Sequence, residues 1–374
     1  MSCLGLAYAN LSETRKAIEY YEQALAIDRE IEDRRGEGID LGNLGQACAD
    51  LSETRKAIEY YEQALAIAKE IGDRRNEGIW LSCSGLAYAY LSETRKAIEY
   101  YEQALTIDRE IEDRRGEGAD LGNLGMAYAD LGETRKAIEY HEQALAIAKE
   151  IGDRRNEGIW LSCLGLAYAD LSETRKAIEH YKHALKILRE IGYRRGEGAD
   201  LGCLGLAYAD LGETRMAIDY HDQALAIARE VEDKQNEAEH LCNLGKAYLD
   251  LNETDKAIDF CTQSLDLARK IEYRKFEGEA LATLGRAYTA LGQLDKALDH
   301  CAQSLKIFKD IEYRRGEGEA LFARSLALDR LDRRADAAAQ ASEALQIFEQ
   351  IENPLQAQKV RQQLAAWQSP KEES

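Results

Sequence analysis

Leu11-Ser12-Glu13-Thr14-Arg15-Lys16-Ala17-Ile18-Glu19-Tyr20 returns unchanged at Leu51 and again at Leu91. Close variants begin at Leu131, Leu171, Leu211, Leu251 and Leu291, and a worn copy begins at Leu331. The period is 40 residues throughout, without an insertion. Self-similarity at a fixed period of this size marks a stacked-repeat architecture, because one unit cannot bury its own apolar face whereas neighbours bury each other's. A chain of 374 residues would otherwise suggest two or three globular domains. Stacking replaces that division with one solenoid over residues 1–368, followed by a flexible polar tail at 369–374.

A longer period lies on top of the first. Leu11–Asp50 matches Leu91–Asp130 at all but four positions, and Leu51–Tyr90 matches Leu131–Asp170 equally closely. The units therefore read as duplicated in pairs, with divergence growing toward the C-terminus.

Each unit reads as two helices. A first helix is expected from about Asn76 to Ala89, with Leu81, Gly85 and Tyr88 on one stripe at helical spacing. A glycine inside a helix costs about 1 kcal/mol against alanine. Its return at Gly45, Gly125, Gly165, Gly205, Gly245 and Gly285 implies that a partner helix presses close there. A second helix is expected from about Glu53 to Ile71, with Ala57, Tyr61, Ala64, Leu65 and Ile71 as its apolar face. Ser52, Gly132 and Gly212 fall where the turn must be and are read as caps of the following helix. Gly72 and Gly152 are read as C-caps. Pro354 suits the first turn of a final helix over 354–367. That helix lays Val360, Leu364 and Trp367 on the last repeat and turns Gln358, Lys359 and Gln362 to water.

The composition narrows the function classes. Hydrophobic residues make up 45% and charged residues 32% of the chain, enough for a continuous core under a charged skin. The formal net charge is -20, with 49 basic against 69 acidic residues. Nucleic acid is gripped by clustered Lys and Arg, so no nucleic-acid partner is expected. No stretch of about 18 apolar residues offers a membrane span, and no signal peptide is evident at the N-terminus. Eight cysteines without a CxxC pair fit a reducing, cytoplasmic setting better than a disulfide framework.

Leu44-Gly45-x-x-Cys48 followed by Ala57, Tyr61 and Ala64 resembles the tetratricopeptide repeat. Tyr88, Tyr128, Tyr168, Tyr208, Tyr248 and Tyr288 stand at the first aromatic place of that pattern. The unit is longer than the usual 34 residues and lacks the family's proline after the second helix. Both departures resemble the subset that includes kinesin light chains and Leu-Gly-Asn-repeat adaptors, to which Asp40-Leu41-Gly42-Asn43-Leu44-Gly45 is similar. Similar units occur in the sensor arms of bacterial signalling ATPases. The resemblance implies an all-α fold: a right-handed superhelical solenoid of about nine antiparallel helix pairs with a C-terminal capping helix. First helices then line a concave groove that holds an extended peptide or a helix. Arg324-Ser325 replaces Leu-Gly in the last full repeat, and Met1 falls in the middle of a first helix. The chain is thus either a fragment or one with a raw N-terminal face.

Groove-facing places on the first helices are those of Ile39, Gly42, Asn43 and Gln46, with Asp50 near the exit. By position, Asn43, Asn123 and Asn243 resemble the family's groove asparagines, whose amides offer a donor and an acceptor to a peptide backbone. Cys83, Cys163, Cys203 and Thr283 interrupt that ladder, and a merely solvated asparagine is the competing reading. Gln46 and Met126 lie one turn further on. The family's carboxylate clamp is not matched, because its basic places hold Ile39, Gly42, Ile79, Ser82, Ala119 and Gly122. Lys246 and Arg286 reach the groove near its C-terminal end and suit one acidic group. Asp50, Asp130, Asp170, Asp210 and Asp250 form an acidic column that suits a basic or polar partner, or serves solubility alone. Arg74-Arg75 and Arg154-Arg155 are read as surface salt bridges near the ends of second helices.

Candidate chemistry is thin. Tyr61, Tyr101, His141, Tyr181, His221, Cys261 and Cys301 share one core-facing place and read as packing. Neighbouring helices stand about 8–10 Å apart, too far for a Cys261–Cys301 disulfide. His180-x-x-His183 could offer two metal ligands on one helical face, but no third ligand lies nearby in sequence. No phosphate loop, nucleophile turn or recurring His-carboxylate set is present, so no cofactor is expected and the chain is not read as an enzyme. The leading expectation is a non-enzymatic protein-interaction scaffold. The alternatives are the sensor arm of a larger signalling ATPase or protease, and head-to-tail stacking through the N-terminal half-repeat.

Overall fold

The computed structural model describes residues 1–368, so the tail expected at 369–374 lies outside the described residues. These residues form nineteen helices and, among them, no strand. The chain divides into two compact units, Met1–Ile191 and Gly192 onward. The first holds α1 (Ser2–Asn10), α2 (Thr14–Glu30), α3 (Arg34–Asp50), α4 (Thr54–Ile71), α5 (Arg74–Tyr90), α6 (Thr94–Glu110), α7 (Arg114–Asp130), α8 (Thr134–Glu150), α9 (Arg154–Asp170) and α10 (Thr174–Glu190). The second holds α11 (Arg194–Asp210), α12 (Thr214–Glu230), α13 (Lys234–Asp250), α14 (Thr254–Lys270), α15 (Arg274–Ala290), α16 (Leu294–Asp310), α17 (Arg314–Arg330), α18 (Arg334–Gln350) and α19 (Pro354–Gln368). Odd-numbered helices up to α17 are the first helices of hairpins, even-numbered ones the second, and α19 closes the series.

The turns follow from local backbone chemistry. Every hairpin turn places one residue in the left-handed region, as at Ser52 (φ 63) and Gly132 (φ 74), and so does every turn between hairpins, as at Glu112 (φ 58) and Gly152 (φ 70). Ser52 therefore reverses the chain and does not cap. The N-cap of α4 is Glu53, and its side chain makes no cap bond. Side-chain capping falls instead on the first helices: Asp33 and Asp113 accept from the amides of Gly36 and Gly116 at 3.0 Å. Gly72 is the left-handed C-cap of α4. Asn353 accepts from the Gln356 amide at 3.2 Å and so caps the helix that opens with Pro354.

Within a hairpin, the first helix lays its glycine under a ring of the second. A methyl on Gly45 would lie 2.6 Å from the Tyr61 ring, and one on Gly85 2.7 Å from Tyr101. Gly125 and Gly205 meet His141 and His221 in the same way, and Gly245 and Gly285 meet Cys261 and Cys301. These rings and thiols are buried, as their shared place in the repeat implies. Ser325 also settles here. It stands where other repeats have glycine, but Ala341 stands where they have the ring, and the Ser325 hydroxyl donates to the Phe322 carbonyl at 2.7 Å. One expected core residue is not buried: Ile71, the last residue of α4, is 40% exposed.

The 80-residue period has a packing cause. Neighbouring first helices meet by two alternating devices. At α3–α5 the Trp80 indole lies over Gly42, with a Gly42 methyl only 2.2 Å from the ring; Trp160 covers Gly122 likewise at α7–α9. At α1–α3 and α5–α7 the contact is polar: Ser2 donates to Asp40 at 3.1 Å and Ser82 donates to Asp120 at 2.5 Å. Gly42 is thus a buried seat for Trp80 and not a groove-facing position. In the second unit, His240 takes the tryptophan's place over Gly202.

The first arginine of each pair ties the open end of its own hairpin. Arg74 donates to Glu77 at 2.6 Å and also to Glu110 at the end of α6. Arg34, Arg114, Arg154 and Arg194 repeat both contacts. The arginines and the distal glutamates are largely solvated, so each such pair contributes roughly 0–1 kcal/mol.

Candidate functional site

On a first helix, residues spaced as Ile39, Asn43, Gln46 and Asp50 fall on one stripe. The opposite stripe, Leu41, Leu44, Gly45 and Cys48, is buried against the second helix. The exposed stripe of each unit is therefore the place to seek a site.

In the first unit this wall is formed by α3, α5, α7 and α9. Asn43 and Asn123 are half-buried, while Gln46, Asp50, Met126, Asp130 and Asp170 are exposed. Gln46 donates to Asp50 at 2.9 Å and accepts from the Tyr61 hydroxyl at 3.4 Å. At the place of Gln46 the other helices present Leu86, Met126 and Leu166, all at least 40% exposed. Cys83 and Cys163 stand where Asn43 stands, so the amide ladder is carried by α3 and α7 alone. Burial and the Asp120 carboxylate push the Cys83 thiol up to about 11, far from a reactive thiolate.

In the second unit the wall closes around a cavity of about 370 Å³. Asp210, Asn243, Lys246, Asp250 and Arg286 all line it. Its contributions come from α11, α13, α15, α17 and α19, with the His221 and Phe348 side chains reaching in from α12 and α18. Three of its cations are held by acids of the same unit: Lys246 by Glu279, Arg286 by Asp250 at 3.2 Å and Arg315 by Glu319 at 3.1 Å. Lys359 on α19 also lines the cavity, and no described residue forms an ion pair with it. Burial raises the Asp210 carboxyl, against the opposing pull of Arg315 and Lys359. Asn243 is only 8% exposed as a residue; its side-chain amide makes no hydrogen bond to the described residues and is open to the cavity. An amide open to the cavity is free to bond water or a bound group.

Sequence reading found five lining residues and missed others: Glu279, Arg315, Glu319, Phe322 and Gln356. Lys359 was expected simply to face water; it is exposed, but at the cavity. A signal for Glu279 and Glu319 exists, because they replace the apolar residues found at the place of Ile39. Nothing in a linear pattern brings α19 back to α11. His180 stacks on Tyr168 with ring centroids 5.2 Å apart, and burial, with His183, lowers its pKa. Among the described residues no group of three or more His, Cys, Asp or Glu side chains is placed to hold a metal. No helix there is long and apolar enough to cross a membrane.

Comparison with known proteins bears on the fold. No curated protein matches the chain in sequence. Among solved structures, the chain is similar to a signal transduction ATPase with numerous domains from Pyrococcus horikoshii that carries a tetratricopeptide repeat sensor. The TM-score is 0.66 at 17% identity, over 92% of this chain and 54% of that one, so the match spans about half of that protein. It is also similar to aspartyl phosphate phosphatase F from Bacillus subtilis, with TM-score 0.64 and 15% identity over 94% and 93% of the two chains. The apo quorum sensor NprR from B. thuringiensis gives TM-score 0.64 and 14% identity over 91% and 99%. Identities this low speak for the fold alone. The family model described as tetratricopeptide repeat matches residues 1–70, 76–150, 119–190 and 199–270, and a second model of the same description matches 278–311. With the Gly-under-ring hairpins repeating along both units, the chain belongs to the tetratricopeptide repeat family.

Proposed function

We propose that this chain is a non-catalytic docking scaffold that captures a polypeptide segment on its first-helix walls. The observation that carries the reading is the second unit's cavity. It combines an Asn243 amide that no described residue engages with apolar wall from Leu206, Phe322 and Leu326 and a rim of charged side chains. Polar groups converging beside apolar wall are what a specific binding site needs. An Asn243 amide that can both donate and accept suits a peptide group, which offers the complementary pair.

The test is site-directed photocrosslinking of the full chain in native extract. A photoreactive residue at Leu206, on the cavity, is compared with one at Asp266, exposed on α14 away from it. A discrete polypeptide adduct from Leu206 that fades in Asn243→Ala is the expected result. Equal labelling from both positions, or none from either, removes the reading.

A second reading is a sensor arm of a larger signalling ATPase. It is supported by the match to the Pyrococcus horikoshii protein, whose sensor is itself a tetratricopeptide repeat and of which this chain matches 54%. Both readings use the same walls. Sequencing the surrounding gene separates them, since a continuous frame into a nucleotide-binding domain is required by the second and not by the first.

A further inference from the structure

One hairpin of the second unit breaks a pattern that runs along the chain. At the open ends of α3–α4, α5–α6, α7–α8, α9–α10 and α11–α12, an arginine of the first helix holds a glutamate at the end of the second. The pairs are Arg34 with Glu70, Arg74 with Glu110, Arg114 with Glu150, Arg154 with Glu190 and Arg194 with Glu230. Arg274 meets Asp310 at 3.8 Å in α15–α16, and Arg314 donates to Gln350 at 3.2 Å in α17–α18. In α13–α14 the same two places hold Lys234 and Lys270. Lys234 donates to Glu237 at 2.8 Å, and Lys270 forms no ion pair among the described residues. A cation in the last turn of α14 suits that helix's dipole. The dipole is the same in the other second helices, yet five of them place a glutamate there for the arginine to hold.

A groove of about 430 Å³ lies where the bridge is missing, with both lysines on its wall. Its floor is apolar, from the buried Leu241 and the half-buried Leu267 and Ile271. Arg229, at the end of α12, adds a third cation and donates to Glu237 at 2.9 Å. The acids lining the groove are Glu237, shared by Arg229 and Lys234, and Asp266, exposed on α14. Nearby acids do not line it: Glu230 is held by Arg194, Asp233 caps α13, and Glu232 and Glu272 stand in the turns. Three cations against two carboxylates leave the groove positive, in a chain of net charge -20. At physiological ionic strength charges beyond about 8 Å are largely screened, so the local balance governs what binds.

An anion between the two ammonium groups restores the charge order that glutamate provides in the other hairpins. An apolar body on the same molecule covers the floor, and a groove of this volume is in the range of small-molecule sites. We propose that the open end of α13–α14 binds a small amphiphilic anion, a carboxylate or phosphate head on a short apolar body. The head takes the place of the missing glutamate between Lys234 and Lys270, and the body lies on Leu241, Leu267 and Ile271. The groove shares no lining residue with the cavity around Asn243, so this inference is independent of the docking reading.

The probes are octanoate and octyl phosphate, each below its micelle concentration and titrated against the full chain by isothermal calorimetry. Inorganic phosphate, which lacks the body, and octylammonium, which reverses the head, are the comparators. Expected is a single site for at least one of the two anions, with both comparators weaker by about tenfold or more. The tighter of the two anions identifies the head. Lys270→Glu with Lys234→Arg rebuilds the bridge of the other hairpins. It should keep or raise the melting temperature and weaken binding by about tenfold or more. Lys270→Gln should weaken it by about fivefold. Lys186→Glu, a charge reversal at an exposed position of α10, should leave binding unchanged, and so should Asn243→Ala. The proposal is overturned if neither anion binds, if octylammonium or inorganic phosphate binds equally well, or if Lys270→Gln or the rebuilt bridge retains full affinity. An equal loss in Lys186→Glu means attraction by net charge, and a loss in Asn243→Ala assigns the anion to the other cavity; either result also overturns it.

Discussion

Asp120 and His141 carry opposite pH signatures. Asp120 is 1% exposed. One of its oxygens accepts from Ser82, and the other has no donor within reach. Burial, with Asp108 beside it, pushes the carboxyl up to about 8. Asp108, itself 6% exposed, is raised to about 6 by burial and by Asp113, while its contact with Asp120 lowers it. The pair is best read as an acid donating to a carboxylate. Folded-state pKa values above the unfolded one mean stability that is full below pH 4 and lost as pH climbs through about 6 to 8. Asp120→Asn keeps the acceptor for Ser82 and supplies a permanent donor to Asp108. It should raise the melting temperature at pH 8 and flatten its decline from pH 5, as measured by calorimetry. His141 works the other way. Burial lowers its pKa to about 4, so it is held neutral, and its contribution is present above pH 6.5 and lost as pH falls through about 4. His141→Tyr recreates the stack seen elsewhere, since Tyr61 lies on Trp80 at 6.2 Å as His141 lies on Trp160 at 5.8 Å. That variant should lose less stability between pH 7 and pH 4 than the parent.

Each hairpin sets a reversal that strains the backbone against a close helix approach that packs it. Glu112 sits at φ 58, where a side chain costs roughly 1–2 kcal/mol. Gly152 occupies the same place in the next repeat without that cost. Glu112→Gly should therefore stabilise the chain by up to about 1 kcal/mol after the unfolded-state entropy of glycine is subtracted, read as a rise in the denaturant midpoint. Gly85→Ala tests the opposite feature. Its methyl would lie 2.7 Å from Tyr101, and overpacking of this kind costs about 1–3 kcal/mol against about 1 kcal/mol gained in helix propensity. A net loss of up to about 2 kcal/mol is expected. An unchanged or higher midpoint would show that the ring can move aside. Helix extents were legible to within a few residues, because apolar spacing fixes them. The assignment of Ser52 as a cap was not, because a serine at a hairpin turn can either bond a free amide or adopt the left-handed backbone. Only the geometry of the reversal decides between them.

Across each unit, stability is a chain of nearest-neighbour contacts. The last of these in the second unit is α19, which sets the buried Val360 and Trp367 against Phe348 and Ala341 in one cluster. Val360→Asp puts an unpaired carboxylate into that cluster. It should cost about 3 kcal/mol or more, with faster hydrogen exchange in α17 and α18 and unchanged exchange in α3 to α7. Uniform acceleration along the chain would instead indicate a single cooperative body. The same helix brings Lys359 and Gln356 to the cavity, so its loss should also open the candidate site.

The 40-residue period, the helices and the buried faces follow from the sequence alone. Periodicity is a local property, and glycine opposite a ring repeats wherever the spacing repeats. The sequence also placed twelve residues on the exposed stripe. Three further facts belong to the tertiary structure. Gly42 is a seat for Trp80. Five of the twelve residues enclose a cavity with Arg315 and Lys359. Asp108 and Asp120 share an interior. Each depends on which side chain a neighbouring helix delivers to a given point, and a one-dimensional spacing carries no record of that delivery.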